Sequence, residues 1–172
     1  ARLLALVQRV QTYYSYHFFI APETLGMLSL LQRRADFFGA MVVHCAGSDD
    51  DFVIKQSWNG NSEMDKAAAV TMHETKHPYR YVPFDVNGSD ERQLQAPAFR
   101  IPTVTIARGN YYKSDWYHNS NDNQWNELAA ERTFDVCANM LRNLEHNSTI
   151  KSLYTSGEPQ LGRRGLYPQV GG

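Results

Sequence analysis

The chain has 172 residues and a formal net charge of −1, with 42% hydrophobic and 20% charged residues. This length fits one domain with a substantial core, and the near-zero charge gives no electrostatic basis for binding nucleic acid or an anionic membrane surface. No apolar run approaches the roughly 20 residues of a membrane span and no signal peptide is visible, so we expect a cytoplasmic protein.

Helical and strand-like patterns alternate along the chain. Apolar residues at helical spacing predict helices at residues 2–12 and, after Pro22, at 25–34. Short runs rich in β-branched and aromatic residues predict strands of one sheet at 18–21, 41–46, 81–84 and 104–107, with a shorter strand at 52–56.

Two further helices have recognisable starts. Ser62 with Asp65 resembles a capping box that opens a helix through Thr75. Asn126 is a plausible N-cap for a helix that runs to residue 144. The residues of that helix that we expect to face the core are Leu128, Phe134, Cys137, Leu141 and Leu144.

The alternation of strands and helices predicts an α/β fold with three α/β/α layers, in which helices cover both faces of the sheet. Residues 1–144 form the predicted domain, and the polar, glycine-rich residues 145–172 form a predicted C-terminal arm. The cysteines, Cys45 and Cys137, lie in apolar surroundings, which favours reduced core thiols over a disulfide.

Side chains suited to a metal or catalytic site follow the predicted strands. In an open α/β sheet, ligands gather at the carboxyl ends of strands, and together carboxylates and imidazoles there can hold zinc. Each residue also has an ordinary structural interpretation, as a helix-capping acid, a core histidine or part of a polar loop. The candidates are Glu23, His44, Ser89, Asp90, Glu91, Arg92, His118 and Asp122.

Four motifs in order carry a resemblance over nearly the whole chain: IAPETLG at 20–26, GSDERQ at 88–93, YHNSNDN at 117–123 and GEPQLGRRGLY at 157–167. With them the chain resembles a bacterial family with an aminopeptidase-like domain, often named with polysaccharide biosynthesis. That family is similar to the co-catalytic zinc aminopeptidases, which implies a phosphorylase/hydrolase-like α/β/α fold with a mixed sheet, present here in part.

The resemblance implies roles for individual residues. Glu23 falls at the general base of the zinc aminopeptidases and His118 at their final metal-ligand histidine. His44 falls near a metal-binding aspartate, so it is a candidate second ligand. The pair Ser89 and Asp90 matches residues that line the family's site, and Asp122 matches an aspartate that follows the final histidine.

The chain also departs from the pattern. Thr24 stands where those aminopeptidases usually have a metal-binding glutamate, which puts a two-metal site in doubt. The family's first histidine and bridging aspartate would precede Ala1, and a winged-helix-like segment would follow Gly172, so we expect a fragment of a longer protein. An exposed sheet edge in such a fragment would favour a homo-oligomer.

The resulting hypothesis is a hydrolase that uses one or two zinc ions in the intact protein and cleaves an N-terminal peptide bond or a related amide. Glu23 would be the base, Asp90 or Glu91 would bind the ammonium of a small peptide or other amine-bearing substrate, and Arg92 would bind a carboxylate. The alternatives are a binding or interaction module with a degenerate site and a purely structural domain. We expect the fragment alone to bind zinc weakly and to be inactive.

Overall fold

The computed structural model describes residues 2–33, 36–110, 113–123, 125–148, 151–152, 154, 156–157 and 161–167. The helices in chain order are α1 (Arg2–Val7), α2 (Leu25–Arg33), α3 (Glu63–Thr75), α4 (Asp90–Leu94) and α5 (Glu127–Glu145), and a short 3-10 helix spans Leu161–Arg164. The strands are β1 (Ala40–His44), β2 (Phe52–Lys55), β3 (Tyr79–Val82) and β4 (Thr103–Arg108).

The four strands form one mixed sheet in the order β1-β4-β2-β3. The β1–β4 and β2–β3 pairs are parallel, whereas β2 runs antiparallel to β4. In this register His44 lies opposite Ala107 and Lys55 lies opposite Thr105. The carboxyl ends of β1 and β4 therefore point one way, and those of β2 and β3 point the other way.

Helices cover both faces of this sheet. On one face α3 and α5 pack on the central strands, and Phe52, Ile106 and Met140 belong to their shared core. On the other face α2 and α4 enclose a smaller cluster that includes Leu31 and Leu94. Alternate residues of β1 serve the two cores, because successive side chains of a strand point to opposite faces. The predicted three-layer α/β/α fold is confirmed.

The two predicted helix starts are also confirmed. The Ser62 hydroxyl accepts from the Asp65 amide at 3.3 Å, and the Asp65 carboxylate accepts from the Ser62 amide at 2.7 Å, which completes a capping box. The side chain of Asn126 accepts a hydrogen bond from the amide of Ala129 at 3.1 Å and so caps α5. Both caps satisfy amide groups that a helix itself leaves unpaired.

The predicted strand at residues 18–21 is wrong. These residues form no ladder, and the side chains of Phe18, Phe19 and Ile20 are exposed, Ile20 at 95%. Hydrophobic runs become strands only when a neighbouring strand accepts their backbone hydrogen bonds, and β1 pairs with β4 alone in the described chain. The residues that precede this run are held at the end of α5, because the amides of Tyr13 and Tyr14 donate to the carboxylate of Glu145.

Two finer predictions also need correction. The first helix ends at Val7 instead of residue 12. In α5 Cys137 and Leu144 are buried as predicted, whereas Leu128 is 55% exposed and lies beside the buried stripe of Ala129, Thr133, Val136 and Met140. Spacings of four, three and four residues follow one face of a helix, and a shift of one residue leaves that face.

The two cysteines are both free thiols, as predicted. Cys137 lies in the core between the sheet and α5, and burial raises the pKa of its thiol to about 12. Among the described residues, no helix combines the length and the apolar character needed to cross a membrane.

Candidate functional site

A cavity of about 560 Å³ runs along the outer edge of β1. All five residues of β1 line it, together with residues of the 14–21 segment and of the helices on both faces of the sheet. Most of the lining is apolar. The candidate residues in the lining form a polar group of Glu23, His44, Ser89 and Asp90, which come from three separate parts of the sequence. Four of the eight candidate residues therefore meet at one cavity.

Glu23 and Asp90 are connected through the residue between Glu23 and α2. The amide of Thr24 donates to the Asp90 carboxylate at 2.8 Å. Thr24 has a φ of 64°, a left-handed conformation that is uncommon outside glycine and asparagine. The hydrogen bond therefore holds a strained turn, and it fixes the backbone beside the exposed Glu23 carboxylate at the cavity.

His44, the last residue of β1, supplies the imidazole of the group. Burial lowers the pKa of His44, while the carboxylates of Glu91, Glu23 and Asp90 act in the opposite direction and reduce that shift. The net effect favours the neutral ring, which is the form that can accept a proton or bind a metal ion.

Glu91 has a different environment from the one that its sequence position suggested. Its side chain is fully buried, and one carboxylate oxygen lies 3.0 Å from the ammonium of Lys55. The other oxygen accepts from the amide of Ser89 at 3.1 Å. Because both carboxylate oxygens are engaged inside the protein, Glu91 is not available to a ligand in the cavity, and its contacts hold the neighbouring residues Ser89 and Asp90 in place.

The remaining candidates lie outside the cavity lining. His118, Asp122 and Arg92 are exposed and are not among the described residues that line the cavity. The His118 ring stacks on Tyr117, with 3.8 Å between ring centroids, and its backbone φ is 58°. We expected His118 to share one cleft with Glu23 and Asp90, but the described lining of this cavity does not include it.

The loop that carries His118 nevertheless lies close to the end of β1. The amide of Asn126 donates to the carbonyl of Gly47 at 2.8 Å, which fixes the loop's end beside the turn that follows His44. Burial raises the pKa of the Cys45 thiol, and the carboxylates of Asp122 and Asp50 raise it further. The Asp122 carboxylate is thus close enough to act electrostatically on the Cys45 thiol, and Cys45 is the residue that follows His44.

The reason for the convergence differs from the one that the sequence suggested. We expected Asp90 and His44 to follow strands at the same end of the sheet. The β2–β4 pair is antiparallel, so the chain leaves β3 at the end opposite to His44. Contacts of α4 with β1 and β4 show that it returns across the face of the sheet, and this brings Asp90 to the cavity.

The donor side chains of the described residues do not make up a zinc site. A catalytic zinc ion takes three protein ligands and keeps one position for water. In the part of the chain that the structure describes, no three His, Cys, Asp or Glu side chains are grouped so that they could hold a metal ion. His44 and His118 alone do not make a complete site, so a zinc site does not fit the described residues by themselves.

Sequence reasoning missed Lys55. It ends β2 in the run Phe-Val-Ile-Lys, and only 8% of its side chain is exposed. A lysine at the end of an otherwise apolar strand that is buried on both faces needs an anionic partner, and this was the available signal. The partner, Glu91, lies 36 residues away and is fixed only by the tertiary structure.

Comparisons with known proteins agree with this architecture. A protein of Clostridium acetobutylicum, provisionally described as a polysaccharide biosynthesis protein with an aminopeptidase-like domain, is 31% identical over 172 residues. A crystal structure of a provisionally assigned peptidase from Clostridium acetobutylicum superposes with a TM-score of 0.86 and 29% identity, over 95% of this chain and 40% of that one.

The chain spans 39% of the length of this curated relative and 96% of its own length is aligned. The fold is therefore that of a peptidase-like protein. A family model described as a domain of unknown function, DUF4910, matches residues 1–147, most of the chain. The chain belongs to the DUF4910 family.

Proposed function

We propose that this chain forms part of an aminopeptidase-like hydrolase that acts on the N-terminal peptide bond of a small peptide or on a related amide. The observation that carries the proposal is the meeting of two carboxylates, Glu23 and Asp90, with the imidazole of His44 at one cavity. Two acids beside a mostly apolar cavity suit a substrate that joins an ammonium group to an apolar side chain.

The proposed roles follow from exposure and contacts. Glu23 is the candidate general base, since its carboxylate is exposed at the cavity and its backbone is fixed by the turn at Thr24. Asp90, with one oxygen accepting from Thr24, keeps its other oxygen for a substrate ammonium. Ser89 shares the cavity wall, while Arg92, on the surface of α4, remains a candidate for a substrate carboxylate.

Zinc belongs to the proposal only for the whole protein. One or two zinc ions are consistent with the family resemblance. The donors from this chain would be His44 and His118, and Asp122 lies in the same loop as His118. Further donors would have to come from outside the described residues, because these alone do not supply three. We therefore expect the 172-residue chain to bind zinc weakly and not to turn over substrate.

A binding module is the second candidate function. Thr24 supports a binding module, because it stands where the similar zinc aminopeptidases have a metal-binding glutamate. Its amide donates a hydrogen bond to Asp90. The same cavity could then hold an amine-bearing ligand without cleaving it. Hydrolysis and binding differ in their dependence on Glu23, since a general base is needed only for the reaction.

The test compares Glu23→Gln with wild type in the longest natural form of the protein. We expect wild type to hydrolyse aminoacyl substrates, and Glu23→Gln to lose at least a hundredfold in kcat while it keeps the same zinc content, since general-base catalysis contributes about 10²–10⁴-fold. Zinc content is measured by elemental analysis beside the activity assay, for this form and for the 172-residue chain.

The matched control is Glu74→Gln, which replaces another exposed glutamate, on α3, that contacts Arg142. We expect it to retain wild-type activity. An intact protein without zinc and without activity would refute the hydrolase and leave the binding module. Full activity of the 172-residue chain would show that the metal donors have been assigned to the wrong residues.

A further inference from the structure

We propose that Lys55 is a positioning residue for the candidate site: its ammonium fixes the 85–91 loop, and this loop holds the Glu23–Thr24 turn through Asp90. The inference rests on the proposed function for its importance to activity, but its structural content can be tested without any enzymatic assay. Lys55 does not line the cavity, and it reaches Glu23 only through other residues.

The first step is the direction of the contacts made by Lys55. Its ammonium lies 2.5 Å from the carbonyl oxygen of Asn87, 3.0 Å from Glu91 Oε1 and 3.9 Å from Asp85 Oδ1. All three partners belong to the 85–91 loop, which consists of the end of the β3–α4 connection and the first two residues of α4. A buried ammonium is stable only when its donors are satisfied, so the lysine ties this loop to the end of β2.

The second step is the shape of the loop. Glu91 accepts from the Ser89 amide with the oxygen that does not face Lys55, so the ion pair also fixes the start of α4. Gly88 packs directly on the pair: a Cβ atom there would lie 1.9 Å from Glu91 Oε1 and 2.8 Å from Lys55 Nζ. The backbone at Gly88 therefore lies in direct contact with the two charged groups, and there is no space for a side chain at this position.

The third step leads to the site. Asp90 lies between the fixed residues Ser89 and Glu91, and its carboxylate accepts from the Thr24 amide at 2.8 Å. Thr24 is in the left-handed region, with a φ of 64°, and such a residue persists only where its surroundings hold it. A continuous series of contacts thus runs from Lys55 through the loop to the backbone beside Glu23.

The chemistry of the pair also favours a geometrical role. A buried ion pair usually adds little stability compared with apolar residues of similar size, because both charges must be removed from water. Its distinctive property is directional hydrogen bonding to fixed oxygens. Replacing both charges by apolar side chains should therefore preserve the fold and lose the positioning.

The experiment measures amide hydrogen exchange at Thr24 relative to Ile106, in the central strand β4, by NMR of the protein. In Lys55→Met we expect exchange at Thr24 to rise about tenfold more than at Ile106, as for the loss of a hydrogen bond to a charged acceptor. Asp90→Ala should give the same selective rise. The double variant Lys55→Met with Glu91→Leu should restore Ile106 to near wild type and leave Thr24 fast.

The matched control is Lys66→Met, which removes an exposed lysine that pairs with Glu63 at 2.7 Å. It should leave both amides unchanged. The proposal is overturned if Thr24 and Ile106 change together in every variant, if the double variant restores both amides, or if Lys66→Met accelerates Thr24 as much as Lys55→Met does. Hydrolysis by Glu23→Gln is measured separately from amide exchange. The proposed function can therefore be refuted while the positioning role of Lys55 holds, and the positioning role can be refuted while the proposed function holds.

Discussion

Single side chains connect distant parts of this fold, and Glu145 is a clear example. Its carboxylate accepts from the Tyr13 amide at 2.6 Å, from the Tyr14 amide at 3.2 Å and from the Tyr16 hydroxyl at 2.6 Å. These contacts attach the segment that leads to Glu23 to the last turn of α5. One carboxylate at the end of a helix thus determines where the 14–21 segment lies.

The acid response of Glu145 follows from the same contacts. Burial acts to raise the pKa of this carboxyl, but hydrogen bonds from Tyr16, Tyr13 and Tyr14 outweigh it, so the pKa lies below the usual value of 4.5. A group whose pKa is lowered by folding stabilises the native state above its unfolded pKa. That contribution is lost as the pH falls below 4.5 through the pKa of the folded state.

We therefore predict that Glu145→Gln lowers the free energy of unfolding at pH 7 by about 1–2 kcal/mol, since it removes a charged acceptor of several hydrogen bonds. The difference from wild type should shrink as the pH falls below 4.5. Urea unfolding at several pH values measures both effects. The control is Glu131→Gln, also on α5, which removes the exposed ion pair with Arg2. It should lower the free energy of unfolding by less than about 0.5 kcal/mol. An equal loss at every pH would contradict the assignment.

Among the helices, α5 shows that the apolar pattern of the sequence identifies part of the buried face, including Cys137 and Leu144, and misplaces its margin at Leu128. The true buried stripe includes Met140, which is fully buried between the sheet and α3, whereas Leu128 is 55% exposed. The apolar pattern predicted a buried Leu128 because it does not distinguish core residues from hydrophobic residues on the surface, which are common in proteins.

Substitutions of Met140 and Leu128 should have clearly different effects on the free energy of unfolding. Met140→Ala should lower the free energy of unfolding by about 2–5 kcal/mol, because it removes buried contacts and leaves a cavity. Leu128→Ala should change it by less than about 0.5 kcal/mol, as is usual for a surface position. Thermal or urea denaturation of the two variants side by side provides the measurement. Similar losses at both positions would mean that the face of α5 is misassigned.

At the scale of the whole molecule, the strand order β1-β4-β2-β3 leaves β1 at an edge of the sheet. The mostly apolar cavity runs along this edge, and the side chain of Val43 is 39% exposed there. Edge strands with exposed apolar groups tend to pair with other chains. We therefore expect the 172-residue chain to form homo-oligomers at high concentration.

The corresponding variant is Val43→Lys, because an edge lysine opposes pairing with a second strand. We expect it to reduce the mass measured by light scattering at high concentration. Val70→Lys, at a 49% exposed valine on α3, is the matched control and should leave the association unchanged. A wild-type chain that stays monomeric at every concentration would rule out this role of the edge.

Features that depend on neighbours along the chain could be predicted from the amino-acid sequence. Capping by Ser62, Asp65 and Asn126 was predictable, because each cap acts within three or four residues. The β-branched runs of β1 and β4 were predictable for the same reason, and so was the three-layer class that follows from their alternation with helices. The motifs around Glu23 and Asp90 also indicate from the sequence that these residues are candidates for a site.

Which of the candidate residues lie together depends on contacts between distant parts of the chain. The antiparallel β2–β4 pair sends the chain away from His44, and α4 brings Asp90 back across the sheet to Thr24. The partnership of Lys55 and Glu91 and the unpaired course of residues 18–21 also depend on groups distant in sequence. Local patterns fix backbone conformation and burial tendency, but pairing across the sheet depends on which strand edges and charges are available in the folded molecule.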